Sequence, residues 1–147
     1  MKKLSLLLLS LVITGMHLIA QQSPVFVAAG KAIRGYDPVA FFTESKPVAG
    51  SDSFTYVWQE ATWYFASASN RDMFKQNPEK FAPQYGGYCA YGMSDGHKAP
   101  TATDTWAILD GKLYFNYNKK VQELFNKDPK GRIEKANVFW PQIKNKE

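Results

Sequence analysis

Cys89, Met93 and His97 follow one another at intervals of four residues, and together they offer a thiol, a thioether and an imidazole. Residues four apart share a helix face, so a helix through this stretch would line the three along one stripe. Soft sulfur ligands with imidazole suit Cu(I). A blue-copper centre needs two histidines beside its cysteine, and a structural zinc site would need Asp95 and a further carboxylate to complete four ligands. Thiol chemistry is the alternative. His97 or Lys98 could favour the Cys89 thiolate, but with no second cysteine in the chain an outside thiol would have to reverse any oxidation. A Cys89–His97 hydrolase would need a third, orienting group that the sequence does not mark. The plain structural reading makes Cys89 a small buried hydrophobe, Met93 core filler and His97 an exposed loop residue. Tyr85, Tyr88, Tyr91 and Trp106, with Tyr36, Tyr64 and Trp63, either line an aromatic cleft for a small ligand or build the core.

These residues lie in the stretch Tyr85–Pro100, between two similar segments. Gly86-Gly87 permits a tight backbone passage there, and Gly92 and Gly96 weaken a continuous helix by about 1 kcal/mol each. Before the stretch, Pro24 to Ala29 suits an edge strand, and Asp37-Pro38 starts a short helix carrying Phe41 and Phe42 inward. Strands are expected over Phe54–Trp58 and Thr62–Ala66. A helix capped by Ser67 or Ser69 then runs to Gln76, with Met73 and Phe74 on its buried face. After the stretch, Asp110-Gly111 is the strongest hairpin signal, joining Trp106–Leu109 to Lys112–Asn116. Asn118 caps a helix that shows Val121, Leu124 and Phe125 on one face, and Asp128-Pro129 closes it. Phe139, Trp140 and Ile143 dock a C-terminal helix or turn. Trp63-Tyr-Phe65 answers Leu113-Tyr-Phe115, Phe74 answers Phe125, and Asn77-Pro78 answers Asp128-Pro129, about fifty residues apart with one residue inserted in the later copy. A duplication and two independent uses of a ββα arrangement both account for this. The class is α+β: an antiparallel sheet built from two hairpin-plus-helix units, with helices packed on it.

Lys2-Lys3, the apolar run Leu4–Ile13 and the small Ala20 read as a secretory signal peptide over residues 1–20, which implies a periplasmic or secreted protein. Residues 21–147 then form one domain, with a first unit at about 35–83, a connecting stretch at 84–104 and a second unit at about 105–143. No later segment approaches the roughly 20 apolar residues of a membrane span. Removing Lys2 and Lys3 lowers the formal charge from +5 to +3, an ordinary balance for solubility. Without a basic stripe, nucleic acid is excluded as a partner. A small ligand or metal ion is the expected partner, and a monomer or weak oligomer the expected state.

Asp37-Pro-Val39, Trp63-Tyr-Phe-Ala-Ser67 and Asn77-Pro-Glu-Lys-Phe81 resemble the YHS domain, a short module of copper-transporting ATPases, some phenol hydroxylases and many exported proteins. With Gly35–Phe42, Tyr85–Tyr91 and Asp110–Asn118 added, the chain is similar to the larger exported YHS-domain proteins of bacteria. The resemblance implies metal binding through paired cysteines, with copper the usual suggestion for the short module. Copper-type modules carry those cysteines after Asp-Pro-Val, after Tyr-Phe and at the next helix start, where this chain has Ala40, Ala66 and Ser67-Ala68-Ser69. Some of the larger exported relatives are described as selenoproteins, and Cys89 is the one candidate here for an equivalent redox or metal-ligating atom. The expected function is therefore binding of a soft metal ion or small ligand near Cys89. Its alternatives are thiol-redox chemistry by Cys89 with His97, and a non-catalytic interaction module.

Overall fold

The computed structural model describes residues 23–146, so the signal peptide expected over residues 1–20 lies outside the described residues. Within them no helix is long and apolar enough to cross a membrane. The class is α+β. Strands β1 (Val27–Ala28) and β2 (Lys31–Ala32) form a short hairpin, followed by a 3-10 turn over Ile33–Gly35 and helix α1 (Ala40–Thr43). Then come β3 (Ser51–Trp58), β4 (Ala61–Phe65), α2 (Ala68–Gln76) and α3 (Pro78–Phe81). A second 3-10 turn over Gln84–Gly87 leads into α4 (Ala90–Ser94), β5 (Ala102–Leu109), β6 (Lys112–Asn116), α5 (Lys119–Phe125) and α6 (Pro129–Ile143). The strands lie in three separate two-stranded antiparallel sheets, not in one continuous sheet.

The helix starts follow the sequence closely. Ser67 caps α2 by accepting from Asn70 N–H, Asn77 caps α3, Asn118 caps α5 and Asp128 caps α6, and Pro78 and Pro129 stand in the first turns where a missing N–H costs nothing. Two apolar expectations fail: Met73 and Leu124 are both partly exposed, while Phe74 and Phe125 one position along are fully buried. With helices this short, a single aromatic ring satisfies the core-facing side and leaves its neighbour in solvent.

The two units repeat more strictly than the sequence suggests. In the first hairpin Tyr56 pairs with Trp63, Val57 with Thr62 and Trp58 with Ala61. In the second, Ala107 pairs with Tyr114, Ile108 with Leu113 and Leu109 with Lys112, each position 51 further on. Both hairpins break register between their outermost pair and the next, Ser51/Thr55 in one and Ala102/Ala107 in the other. Trp63 therefore corresponds to Tyr114 and Phe65 to Asn116, and no residue is inserted between strand and proline. The Trp-Tyr-Phe and Leu-Tyr-Phe match is out of step by one residue, which in a strand moves every side chain to the opposite face.

The repeat also reaches into the stretch expected to be a connection. Ile33, Arg34 and Gly35 have φ of 39°, 61° and 79°, and Tyr85, Gly86 and Gly87 repeat them at 56°, 61° and 88°. Tyr36 N–H donates to Ile33 O as Tyr88 N–H donates to Tyr85 O. Asp37 N–H donates to Val48 O, and Cys89 N–H donates to Ala99 O. Tyr36 thus answers Tyr88, and Asp37 answers Cys89.

Strand β6 separates two hydrophobic clusters. Leu113 and Phe115 face one, with Ile33, Phe41, Trp63, Phe65 and Phe74; Tyr114 faces the other, with Tyr85, Met93, Phe125 and Ala136. The period of two along a strand gives each sheet face its own core, and so β6 is buried on both sides. Helix α6 covers the second cluster with Ile133, Phe139, Trp140 and Ile143.

Asp37 is fully buried, and its carboxylate takes four donors. Val39 N–H at 2.8 Å and Ala40 N–H at 3.3 Å bind Oδ1; Ala66 N–H at 2.8 Å and Asn70 Nδ2 at 2.7 Å bind Oδ2. The start of α1, the end of β4 and the first turn of α2 thereby meet on one side chain. Asp37→Ala would leave these donors buried and unpaired, so urea unfolding should show a loss of about 3 kcal/mol or more.

Candidate functional site

Tyr85-Gly86-Gly87 brings the chain to Cys89 through left-handed backbone beside the N-terminal hairpin. A Cβ built on Gly86 would lie 1.8 Å from Pro24 O, so glycine is obligatory at this crossing. Cys89 then stands at the N-cap of α4, where aspartate stands before α1. Its Sγ accepts from Gly92 N–H at 3.4 Å, and the backbone N–H groups of Tyr117 and Tyr91 lie close enough to favour its anion. In the repeat these are the counterparts of Ala40, Ala66 and Val39, whose N–H groups bind the Asp37 carboxylate. The sulfur is therefore a helix-capping acceptor at the position of a buried carboxylate.

Asn116, also fully buried, completes the surroundings. Its Oδ1 accepts from Tyr91 N–H at 3.2 Å and from the Cys89 thiol at 3.8 Å. Two donors on Oδ1 fix the orientation of the amide, and Nδ2 is left without a hydrogen-bond partner. The backbone of Asn116 is pinned by Thr105, whose Oγ1 accepts from Asn116 N–H at 2.8 Å and lies 2.6 Å from Ala102 O. Burial pushes the Cys89 thiol above its ordinary value of 9.0, and the three backbone N–H groups only partly offset this.

The structure does not run Cys89, Met93 and His97 along one helix. α4 ends at Ser94, and Gly96 at φ +82° turns the chain away. Met93 is buried among the rings of the second cluster. His97 is exposed, yet its N–H returns to Gly92 O at 3.1 Å and its ring lies against Gly92, the residue whose N–H donates to the sulfur. Among the described residues no group of three or more His, Cys, Asp or Glu side chains is placed to hold a metal ion. At the copper-module positions Ala40 is fully buried with its N–H on the Asp37 carboxylate, and neither Ala40 nor Ala66 offers a metal ligand.

The four aromatic residues considered as a cleft divide between the two cores. Trp106 packs 5.8 Å from the Phe41 ring in the first cluster. Tyr85, Tyr88 and Tyr91 belong to the second, where Tyr85 OH donates to Asn137 Oδ1 at 3.0 Å and Tyr88 OH to Ser23 O at 3.0 Å. Arg132 stacks 3.9 Å over the Tyr91 ring and donates to Tyr91 OH, Ser94 Oγ and Asp95 Oδ1, tying α6 to α4.

A different cleft, which Cys89 itself does not line, runs past the residues that follow its partners Ala99 and Asn116. About 590 Å3 in volume, it is bordered by Arg34, Tyr36, Thr101, Thr103, Asp104 and Tyr117, and so draws on both units. Arg34 Nε donates to Thr101 O at 2.8 Å, while its two terminal nitrogens have no hydrogen-bond partner among the described residues. The Thr101 hydroxyl is buried and also lacks a partner. Neither Arg34 nor Asn116 stands out in the sequence by residue type or spacing. Their signal was in the repeat: Arg34-Gly-Tyr-Asp37 against Gly86-Gly-Tyr-Cys89 sets an arginine where the other copy has glycine, and the correct register sets Asn116 opposite Phe65.

A raised thiol value in the folded state means that folding holds a proton that the unfolded chain releases first. Stability should therefore decline as pH rises above 9.0, and the decline should be smaller in Cys89→Ala. Urea midpoints for both proteins across pH 7 to 10 measure the difference, and alkylation of Cys89 should be slow in the native protein and fast in denaturant.

Comparison of the chain with protein-family models, curated proteins and solved structures gave no match.

Proposed function

We propose that this chain is an exported YHS-type module that binds a small anionic ligand in the cleft bordered by Arg34, Thr101 and Tyr117, with Cys89 behind the cleft wall. The observation that carries this reading is Arg34 itself. It holds φ +61°, a conformation that side chains rarely adopt and that the second unit meets with Gly86. Backbone strain of order 1–3 kcal/mol is retained where the surrounding structure or a function requires it. Here it sets a guanidinium at a cleft edge, fixed through Nε to Thr101 O and with its terminal N–H groups unspent. Such a fork matches a carboxylate or phosphate oxygen pair. Tyr36, Thr103 and Tyr117 supply hydroxyl groups along the same border, and Asp104 disfavours ligands carrying negative charge at both ends. Few polar groups converging on a concave surface between two units is the usual form of a small-ligand site.

A soft metal ion is the competing occupant. Cys89, Met93 and His97 are the soft ligands of this stretch, and copper there would have to draw Met93 from the second core or bind through Cys89 and His97 alone. Titration separates the two occupants. Acetate, succinate and inorganic phosphate, added to the protein at roughly millimolar concentration, should shift the amide resonances of Thr101–Asp104 and Tyr117 for at least one probe. Arg34→Gln should weaken that binding about tenfold or more. Absence of shifts, or equal affinity in the variant, would refute the cleft reading. Cu(I) bound tightly by wild type and lost in Cys89→Ala would favour the metal.

A further inference from the structure

The repeat places one kind of groove on the protein twice, and the two copies differ in chemistry. In the second unit the β5–β6 turn, strand β6 and the start of α6 border a groove of about 450 Å3, lined among others by Leu109, Asp110, Tyr114, Lys130 and Ile133. The hairpin offset of 51 carries these five onto Trp58, Gln59, Trp63, Glu79 and Ala82, and all five line a groove of about 310 Å3 in the first unit. Three of the exchanges alter what the groove can recognise. Trp58 stands for Leu109, Trp63 for Tyr114, and the Glu79 carboxylate for the Lys130 ammonium.

Tyr85 and Trp140 also line the first groove, so four rings border it in two pairs, one from each hydrophobic cluster. Trp58 and Trp63 have ring centroids 5.9 Å apart, Tyr85 and Trp140 6.1 Å. Trp63 is fully buried, and its Nε1 donates to Trp58 O at 3.1 Å, which fixes the bottom of the groove. Trp58 and Trp140 are only partly buried and keep ring surface open to a ligand. Among the described residues Glu79 is the one charged side chain lining this groove, whereas Lys112 and Lys130 both line its counterpart. An aromatic face attracts positive charge, and a carboxylate beside it adds a full negative charge. Rings with a carboxylate and no competing ammonium select an organic cation, whose alkyl groups also gain from leaving water.

We propose that the groove bordered by Trp58, Trp140 and Glu79 is a second binding site, for a small quaternary or alkylated ammonium ion. It shares no lining residue with the Arg34 cleft, and its charge preference is the opposite one.

The test titrates the folded chain with choline and tetramethylammonium, and with the uncharged tert-butyl analogue of choline, following tryptophan fluorescence and the amide resonances of Gln59, Tyr85 and Gly86. At least one cation should bind with a dissociation constant on the order of millimolar, and the uncharged analogue about fivefold more weakly or worse. Trp58→Leu and Glu79→Lys, which import the residues of the other copy, should each weaken cation binding about fivefold or more. Arg34→Gln should leave it unchanged. Glu79 is exposed, so Glu79→Lys keeps the core intact and decides the matter even where Trp58→Leu fails to fold. No response to either cation overturns the proposal. So does equal affinity for the uncharged analogue, which would make the groove merely apolar, or cation binding that survives Glu79→Lys undiminished.

Discussion

A carboxylate sealed from water is the constraint on which the first unit depends. Burying a charged group is costly unless donors replace its hydration, and Asp37 has four, drawn from three segments far apart in sequence. The same bonds satisfy N–H groups that α1 and the end of β4 would otherwise leave unpaired in the interior. α1 has only four residues and could not persist through its own backbone bonds. It exists because Asp37 holds its first turn and Phe41 fills the core behind it. The second unit meets the same requirement with sulfur, a weaker acceptor, and adds support from elsewhere. Where α3 has four residues, α6 has fifteen, and Arg132 on it reaches back to Tyr91 and Ser94 of α4 and to Asp95 just beyond it.

The two units also share a wall. β6 carries Leu113 and Phe115 into the ring-rich first core and Tyr114 into the second, so the later hairpin completes the earlier unit's interior. This explains why Asn116 can replace the pseudo-equivalent Phe65. The first core is already filled by Phe41, Phe65, Phe74 and Phe115, and the position of Asn116 faces the Cys89 cap, where a polar group has donors to receive.

Much of this was legible in the sequence, and the exceptions have physical causes. Helix starts were readable because a cap is a local matter: Ser67, Asn118 and Asp128 each accept from an N–H three residues on. The Asp110-Gly111 turn was readable because two-residue hairpins demand positive φ. Its partner was not signalled in that way, since Gln59 and Glu60 adopt φ of 48° and 60° with no glycine to announce it. The strand register misled because Leu113-Tyr-Phe115 resembles Trp63-Tyr-Phe65 in composition while the pairing sets it one residue off. At the site, spacing by four suggested a helical stripe, and the N-cap position of Cys89 with Gly96 beyond α4 removed it. Arg34 and Asn116 were invisible individually. Each acquires meaning only by comparison with its counterpart in the other copy.

Both units are built around one buried acceptor at the same place, carboxylate in one and sulfur in the other. Hydrogen exchange at four backbone amides tests this most directly. Gly92 N–H donates to the Cys89 sulfur at 3.4 Å and Tyr117 N–H lies near it, as the N–H groups of Ala40 and Ala66 donate to Asp37. All four should be protected to the level of global unfolding, with protection at Gly92 and Tyr117 reduced in Cys89→Ala and unchanged at Ala40 and Ala66. Rapid exchange at Gly92 and Tyr117 in the wild type, beside slow exchange at Ala40 and Ala66, would contradict the account.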